Sequence, residues 1–354
     1  MAKLLMKGNE VIAEAAVKAG CRYFFGYPIT PQNELVTYMA KRLPEVGGVF
    51  LQAESEIAAI NMVYGAAGTG ARVMTSTSSP GYSLKQEGIS YLSGAELPAV
   101  ICNISRGGPG LGNIQPAQSD YFQATRGGGH GDYYLPVFAP ASLQEVADLM
   151  GDAFDVADKY RTPVLILADG VLGQMMEPVE FSDKVVEELP KKDWATTGTR
   201  GDGGPKIITS LDLDIGGLEA HNSRLKDKFE NITKNEIRYE EYEIEDAEYI
   251  LVAYGSVARI AMSAIKLARK AGIKVGLIRP ITLWPYPQEP FIKTRDKVKG
   301  YMSVEMSAGQ MVEDVRLAVN GHAPVSFYGR NGGVIPTHEE IYEKIVQLSG
   351  GVKA

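Results

Sequence analysis

Val49-Phe50-Leu51-Gln52-Ala53-Glu54-Ser55-Glu56-Ile57-Ala58-Ala59-Ile60 passes from an apolar stretch, through two carboxylates, into a run of small and apolar residues. It reads as a strand at 49–52 followed at once by a helix. Glu54 and Glu56 therefore stand at a strand-to-helix junction, the place where α/β folds bind ligands. The same logic occurs upstream. Arg22–Phe25 reads as a short strand and Gly26-Tyr27-Pro28-Ile29-Thr30-Pro31 as a stiff loop. The helix that follows has Leu35, Tyr38 and Met39 as its buried stripe. Thr30 reads either as an N-cap, with Pro31 at the first helical position, or as a hydroxyl held rigid by two prolines and facing a ligand. Two helix entrances carrying polar side chains predict one shared pocket.

Outward from this core, residues 8–20 predict a helix ended by Gly20, and strands are predicted at Arg72–Ser76, Ala99–Asn103 and Pro163–Ala168. Ser142-Leu143-Gln144-Glu145 is a capping box opening a helix that runs to Lys159. Alternating strands and helices imply a mostly parallel sheet with helices on both faces. From Asp169 to Asp246 the alternation stops. Charged clusters, Pro190 and the glycines at 198, 201, 203 and 204 predict a long connection with at most short elements, laid across a partner. Alternation resumes with strands at Tyr249–Ala253 and Lys274–Ile278 around a helix at Val257–Ala271. It continues with Tyr301–Glu305, Gln310–Val319, Val325–Tyr328 and Thr337–Gln347. The expected organisation is a first α/β domain at 1–185, a connection at 186–246 and a smaller α/β domain at 247–354.

At 354 residues the chain is long enough for two well-buried domains. A net charge of −7 and a pI near 5.4, in mixed rather than blocky charge, give no reason to expect nucleic acid or an anionic membrane as partner. The N-terminal apolar stretch is too short for a signal peptide, and no run approaches the ~18 apolar residues of a membrane span. Cys21 and Cys102 lie among apolar residues, as buried reduced thiols of a cytoplasmic protein do. Two cysteines cannot supply the four thiolates of an iron–sulfur cluster, so any cluster belongs to another chain.

There is no Gly-x4-Gly-Lys-Ser/Thr, no His-Glu-x2-His and no Cys-x2-Cys, and the four histidines are scattered, so no metal site is expected. Gly107-Gly108-Pro109-Gly110-Leu111-Gly112 lacks dinucleotide-loop spacing and reads as a mobile or ligand-covering loop. Gly201-Asp202-Gly203, with Asn222 downstream, imitates a magnesium–diphosphate motif but follows polar residues rather than a buried strand, and reads as a turn. No diphosphate cradle is visible. Arg106 ends the fourth strand. It reads as a bidentate clamp for a carboxylate or as a surface ion pair. Asp120 and Arg126 read by default as a mutual or intersubunit salt bridge. Glu56, taken alone, reads as an acid favoured by the helix dipole.

Taken together, the 26–31 loop, Glu54-Ser55-Glu56 with its Ala-rich helix, Thr75-Ser76-Thr77-Ser78-Ser79-Pro80-Gly81 and Arg106 resemble the α subunit of 2-oxoacid:ferredoxin oxidoreductases. Residues 112–125 are most similar to the branched-chain, 3-methyl-2-oxobutanoate type. Gly309-Gln310-Met311 and Gly329-Arg330-Asn331-Gly332-Gly333 extend the likeness to the C-terminal domain. The resemblance implies a thiamine-enzyme pyrimidine-binding domain followed by a transketolase C-terminal-like domain, both doubly wound parallel sheets. It implies that Glu56 bonds N1′ of the thiamine diphosphate aminopyrimidine, with Pro28 and Ile29 beside the cofactor and Thr30 and Arg106 on the substrate carboxylate. A β subunit would hold the diphosphate and magnesium, γ and ferredoxin-like δ subunits and ferredoxin would be further partners, and iron–sulfur clusters would lie on partner subunits only. The products would be acyl-CoA, CO2 and reduced ferredoxin. One departure stands out: Glu305-Met306-Ser307-Ala308 precedes Gly309 where the family often has Glu-x-Asn. The readings that compete with this one are a 2-oxoglutarate or pyruvate enzyme, a non-catalytic scaffold subunit, and a decarboxylase or transketolase-like thiamine enzyme.

Overall fold

The computed structural model describes residues 3–181, 189, 191–198 and 204–350. The chain begins with β1 (Leu4–Lys7), α1 (Gly8–Lys18), β2 (Tyr23–Gly26), α2 (Asn33–Glu45), β3 (Val49–Gln52) and α3 (Glu56–Gly68). It continues through β4 (Val73–Thr77), α4 (Ser79–Gly94), β5 (Ala99–Ser105), α5 (Tyr121–Thr125), β6 (Val137–Phe138) and α6 (Leu143–Tyr160). Then come β7 (Pro163–Asp169), α7 (Gly170–Gln174), β8 (Met176–Val179), α8 (Ile215–Asn235) and β9 (Tyr239–Tyr242). The last part is β10 (Tyr249–Val252), α9 (Gly255–Lys270), β11 (Val275–Pro280), β12 (Thr282–Trp284), α10 (Glu289–Thr294), β13 (Gly300–Glu305), α11 (Met311–Val319), β14 (Val325–Gly329) and α12 (His338–Leu348).

Two large sheets organise most of these elements, and β1 and β8 form a separate antiparallel pair. The larger has the order β12-β6-β7-β5-β4-β2-β3, parallel except for β12. The smaller, β14-β13-β10-β11-β9, is parallel except for β9. The doubly wound α/β reading is thus borne out in both halves. Strands β4, β5 and β7 are buried along their whole length, as continuous apolar runs in a sheet covered on both faces must be. In the larger sheet the chain turns to opposite sides of β2 to place β3 and β4, which opens a crevice at the carboxyl ends of β2 and β4.

Three expectations are corrected here. The stretch after Asp169 is not confined to short elements, because α8 is a 21-residue helix. It also lies on its own chain. His221 Nε2 is 2.8 Å from the Gly94 carbonyl, Lys228 donates to Glu96 at 2.9 Å, and Tyr160 donates to Glu236 at 2.7 Å. The Ser142 cap forms, accepting from Glu145 N at 3.2 Å, but the reciprocal half of the box does not. Glu145 takes the Ala141 amide at 2.7 Å and the Arg279 guanidinium at 2.6 and 2.9 Å instead. Thr30 is not an N-cap, since α2 begins at Asn33. Gly201-Asp202-Gly203 lies outside the described residues.

Chain from the C-terminal half completes the larger sheet. β12 pairs with β6, and Ser256 donates to Asp169 at 2.6 Å across the same junction. Cys21 and Cys102 are free and fully buried. Burial pushes the Cys21 thiol up to about 12 and Cys102 further still, and a thiol without its thiolate is a poor nucleophile. Neither cysteine is expected to take up iodoacetamide in the native protein at pH 8, and both are expected to react in denaturant. Mass spectrometry reads the difference, and a native label on either would contradict this packing.

Candidate active site

Glu56 opens α3. Ser55 caps that helix, its hydroxyl accepting from Ala58 N at 3.2 Å, which fixes the backbone where the carboxylate begins. Glu56 is only 6% exposed, and its carboxylate accepts no hydrogen bond from the described residues, whereas its neighbour Glu54 is exposed beside Ser55. The first turn of α4 makes room for it. A Cβ at Gly81 would lie 2.5 Å from Glu56 Oε1 and 2.2 Å from Thr77 Oγ1, so any larger residue there would push those two side chains from their places.

Arg106 and Thr30 are brought together as the sequence predicts, but through the backbone. The Arg106 guanidinium donates to the Thr30 carbonyl at 2.8 Å and to the Leu111 carbonyl at 3.1 Å. The arginine is buried, so the surface ion pair is excluded, and its Nε has no hydrogen-bond partner among the described residues. Among the described residues the Thr30 hydroxyl accepts only from Asn33 Nδ2, at 3.3 Å. Ser79, at the head of α4, accepts from the Arg106 amide at 2.9 Å, so this one helix end touches Arg106 through Ser79 and Glu56 through Gly81. Pro28 is exposed and Ile29 half-buried, and no hydrogen bond among the described residues joins either to Glu56.

Other residues in the crevice escaped sequence reasoning. Gln32, fully buried, ties the 27–31 loop to the sheet: it donates to the Tyr27 carbonyl at 3.3 Å and accepts from Ser76 at 2.6 Å. Asn9 and Gln174 hold the Pro31 carbonyl at 2.8 and 2.9 Å. Lys85, fully buried on α4, donates to the Glu56 carbonyl at 3.3 Å. Nothing in the sequence distinguished that lysine from a surface one.

Asp120 and Arg126 do not pair. Asp120 is buried and accepts from Ser79 at 2.6 Å and Asn103 at 2.8 Å, while Arg126 crosses to Asp314 in the other half at 2.9 Å. The 107–112 loop opens no helix, in keeping with the rejected dinucleotide reading. It is closed by Asn113 N on the Gly107 carbonyl at 2.9 Å. Gly112, at φ +61°, passes so close to that carbonyl that a Cβ would lie 1.8 Å from it.

A family model described as pyruvate flavodoxin/ferredoxin oxidoreductase, thiamine diphosphate-binding, matches residues 14–214, and one for pyruvate:ferredoxin oxidoreductase core domain II matches 247–341. The ketoisovalerate oxidoreductase subunit VorB of Methanothermobacter marburgensis is 52% identical over 350 residues, 99% of each chain. The chain belongs to the 2-oxoacid:ferredoxin oxidoreductase family. The 2-oxoglutarate synthase subunit KorA of Methanocaldococcus jannaschii is 37% identical over 96% of this chain and 98% of that one. Among solved structures, 2-oxoglutarate:ferredoxin oxidoreductase from Magnetococcus marinus, with 2-oxoglutarate, coenzyme A and succinyl-CoA bound, superposes with a TM-score of 0.87. It is 26% identical and covers 98% of this chain and 65% of that one. A split-gene transketolase, 13% identical at a TM-score of 0.61, shares the fold.

The oxidoreductase family's cofactor is thiamine diphosphate, and the polar groups gathered about Glu56 have the chemistry an aminopyrimidine needs. Glu56 offers a carboxylate that no donor among the described residues claims, and the neighbouring hydroxyls of Thr77 and Ser78 are buried without partners among them. Among the described residues no cluster of acidic, histidine or cysteine side chains could hold a metal ion.

Proposed function

We propose that this chain is the α subunit of a branched-chain 2-oxoacid:ferredoxin oxidoreductase, which converts 3-methyl-2-oxobutanoate and CoA to acyl-CoA, CO2 and reduced ferredoxin in the cytoplasm. The observation that carries the proposal is Glu56, a residue only 6% exposed at a helix start whose carboxylate has no hydrogen-bond donor from the described residues. Such a group is costly to bury unless a ligand completes it. Thiamine diphosphate, when bound, supplies the electron sink for cleavage of the bond to the substrate's carboxylate. Glu56 holds a proton at N1′ of its ring. Pro28 and Ile29 flank the ring, and Thr30 and Arg106 orient the substrate carboxylate, with the unpartnered Arg106 Nε available for that bond. The branched-chain substrate rests on the 52% identity to a ketoisovalerate oxidoreductase subunit, against 35–38% to 2-oxoglutarate synthase subunits.

A β subunit supplies the diphosphate and magnesium sites in this proposal, γ and ferredoxin-like δ subunits complete the complex, and the iron–sulfur clusters lie on partner subunits. The edge strand β3 and the helices beside it support such a partner. Val49, Leu51, Ile57 and Leu84 each stand 41–50% exposed around Glu56, an apolar rim unlike a solvated surface. The test is to reconstitute the complex with its companion subunits and follow viologen reduction with CoA and each of three 2-oxoacids. The kcat/KM for 3-methyl-2-oxobutanoate is expected to exceed those for pyruvate and 2-oxoglutarate by ~10-fold or more, the scale on which an apolar pocket discriminates. A preference for 2-oxoglutarate would move the chain to that subtype, and silence with all three would end the proposal.

A further inference from the structure

α3 and α4 are pressed together through glycines. A Cβ at Gly88 would come 2.5 Å from Ile60 Cγ2, just as one at Gly81 would strike Glu56. Between those two glycines, one helical turn after Gly81, stands Lys85. It is fully buried, and its one hydrogen bond to the described residues is the 3.3 Å contact to the Glu56 carbonyl. A lysine is a poor choice for packing a helix seam, since a buried amine with a single acceptor is costly and an apolar chain of equal length would fill the space. Burial pushes the amine down to about 7, against the pull of the Glu56 carboxylate, yet it donates to the carbonyl whether charged or neutral. α4 thus holds Glu56 at two points, with Gly81 against the carboxylate and Lys85 on the backbone.

We propose that Lys85 is a positioning residue for Glu56, anchoring the first turn of α3 so that the carboxylate meets the thiamine pyrimidine in productive geometry. This inference rests on the role given to Glu56 above. The test compares Lys85→Met and Glu56→Ala in the reconstituted complex. Lys85→Met is expected to leave assembly and melting temperature undiminished, because it removes a buried polar group. It is expected to lower kcat ~10–100-fold, the scale of a misplaced catalytic group, with KM for the 2-oxoacid changed less than about threefold. Calorimetric titration of thiamine diphosphate into the cofactor-free complex reads the effect without turnover, and its dissociation constant is expected to rise by a similar factor. Lys85→Gln, which keeps a shorter donor, is expected to fall between methionine and wild type. Wild-type kcat and cofactor affinity in Lys85→Met would overturn the proposal. So would failure of both variants to assemble, which would make Lys85 a folding residue. If Glu56→Ala retains full activity the reading of Glu56 falls first. If Glu56→Ala is inactive and Lys85→Met is not, only the positioning role is lost.

Discussion

Replacing Glu56 by alanine is expected to lower turnover of the assembled enzyme by ~10²–10⁴-fold, the range of a lost proton-transfer group. The folded protein hardly notices the change. No donor from the described residues is stranded when the carboxylate goes, Ser55 still caps α3, and the loss of an acid from a first helical turn costs only ~0.3–1 kcal/mol. Activity and assembly therefore separate, which distinguishes a catalytic chain from a scaffold. Glu56→Gln sharpens the result. It preserves shape and buried volume but cannot take up or release the proton, so its activity is expected to fall with the alanine variant. Viologen reduction, gel filtration and melting temperature are measured together. Full turnover in either variant would remove Glu56 from the mechanism.

Glu305→Ala is expected to produce the opposite pattern, a large loss of stability. The carboxylate is fully buried at the end of β13 and accepts the amides of Gln310, Met311 and Val312 at 2.9–3.0 Å and the hydroxyls of Ser303 and Ser307 at 2.9 Å. It gathers the otherwise unpaired donors at the start of α11. Each buried donor left without an acceptor costs ~1–3 kcal/mol, so alanine costs about 4 kcal/mol or more, and the melting temperature of the complex falls by roughly 10 °C. Glutamine turns an amide donor toward the same amides and is expected to rescue little. A shift below about 2 °C would show that the network is dispensable. Ser307 belongs to the same network, donating to Glu305 at 2.9 Å and accepting from Gly309 N at 3.0 Å.

Strands and helices with clear apolar periodicity were legible, along with the junction carrying Glu56. What escaped did so for specific reasons. In α8 the buried residues are only Leu225, Phe229 and Ile232, a thin stripe in an otherwise polar helix that periodicity cannot distinguish from a solvated connection. Thr30-Pro31 carries good helix-start chemistry, yet the loop is held in place by Asn9, Gln174 and Arg106, residues distant in sequence, and the helix starts two residues later. Asp120 and Arg126 sit at the two ends of the short α5, and each meets a different partner, Ser79 for Asp120 and Asp314 of the C-terminal half for Arg126. Lys85 looks like any surface lysine until α3 is laid against it, and charged residues are read as exposed by default. Local chemistry identifies an element. Which distant side chain reaches it is decided by the packing.

β12 has a consequence for any attempt to take the protein apart. Residues 282–284 belong by chain position to the C-terminal half, but they are the edge strand of the N-terminal sheet. A protease nick in the 186–246 segment therefore severs the polypeptide without releasing two particles, and the fragments should travel together on a sizing column. A gene divided at residue 247 yields a first half whose sheet ends at β6, with its edge open to pairing with other molecules.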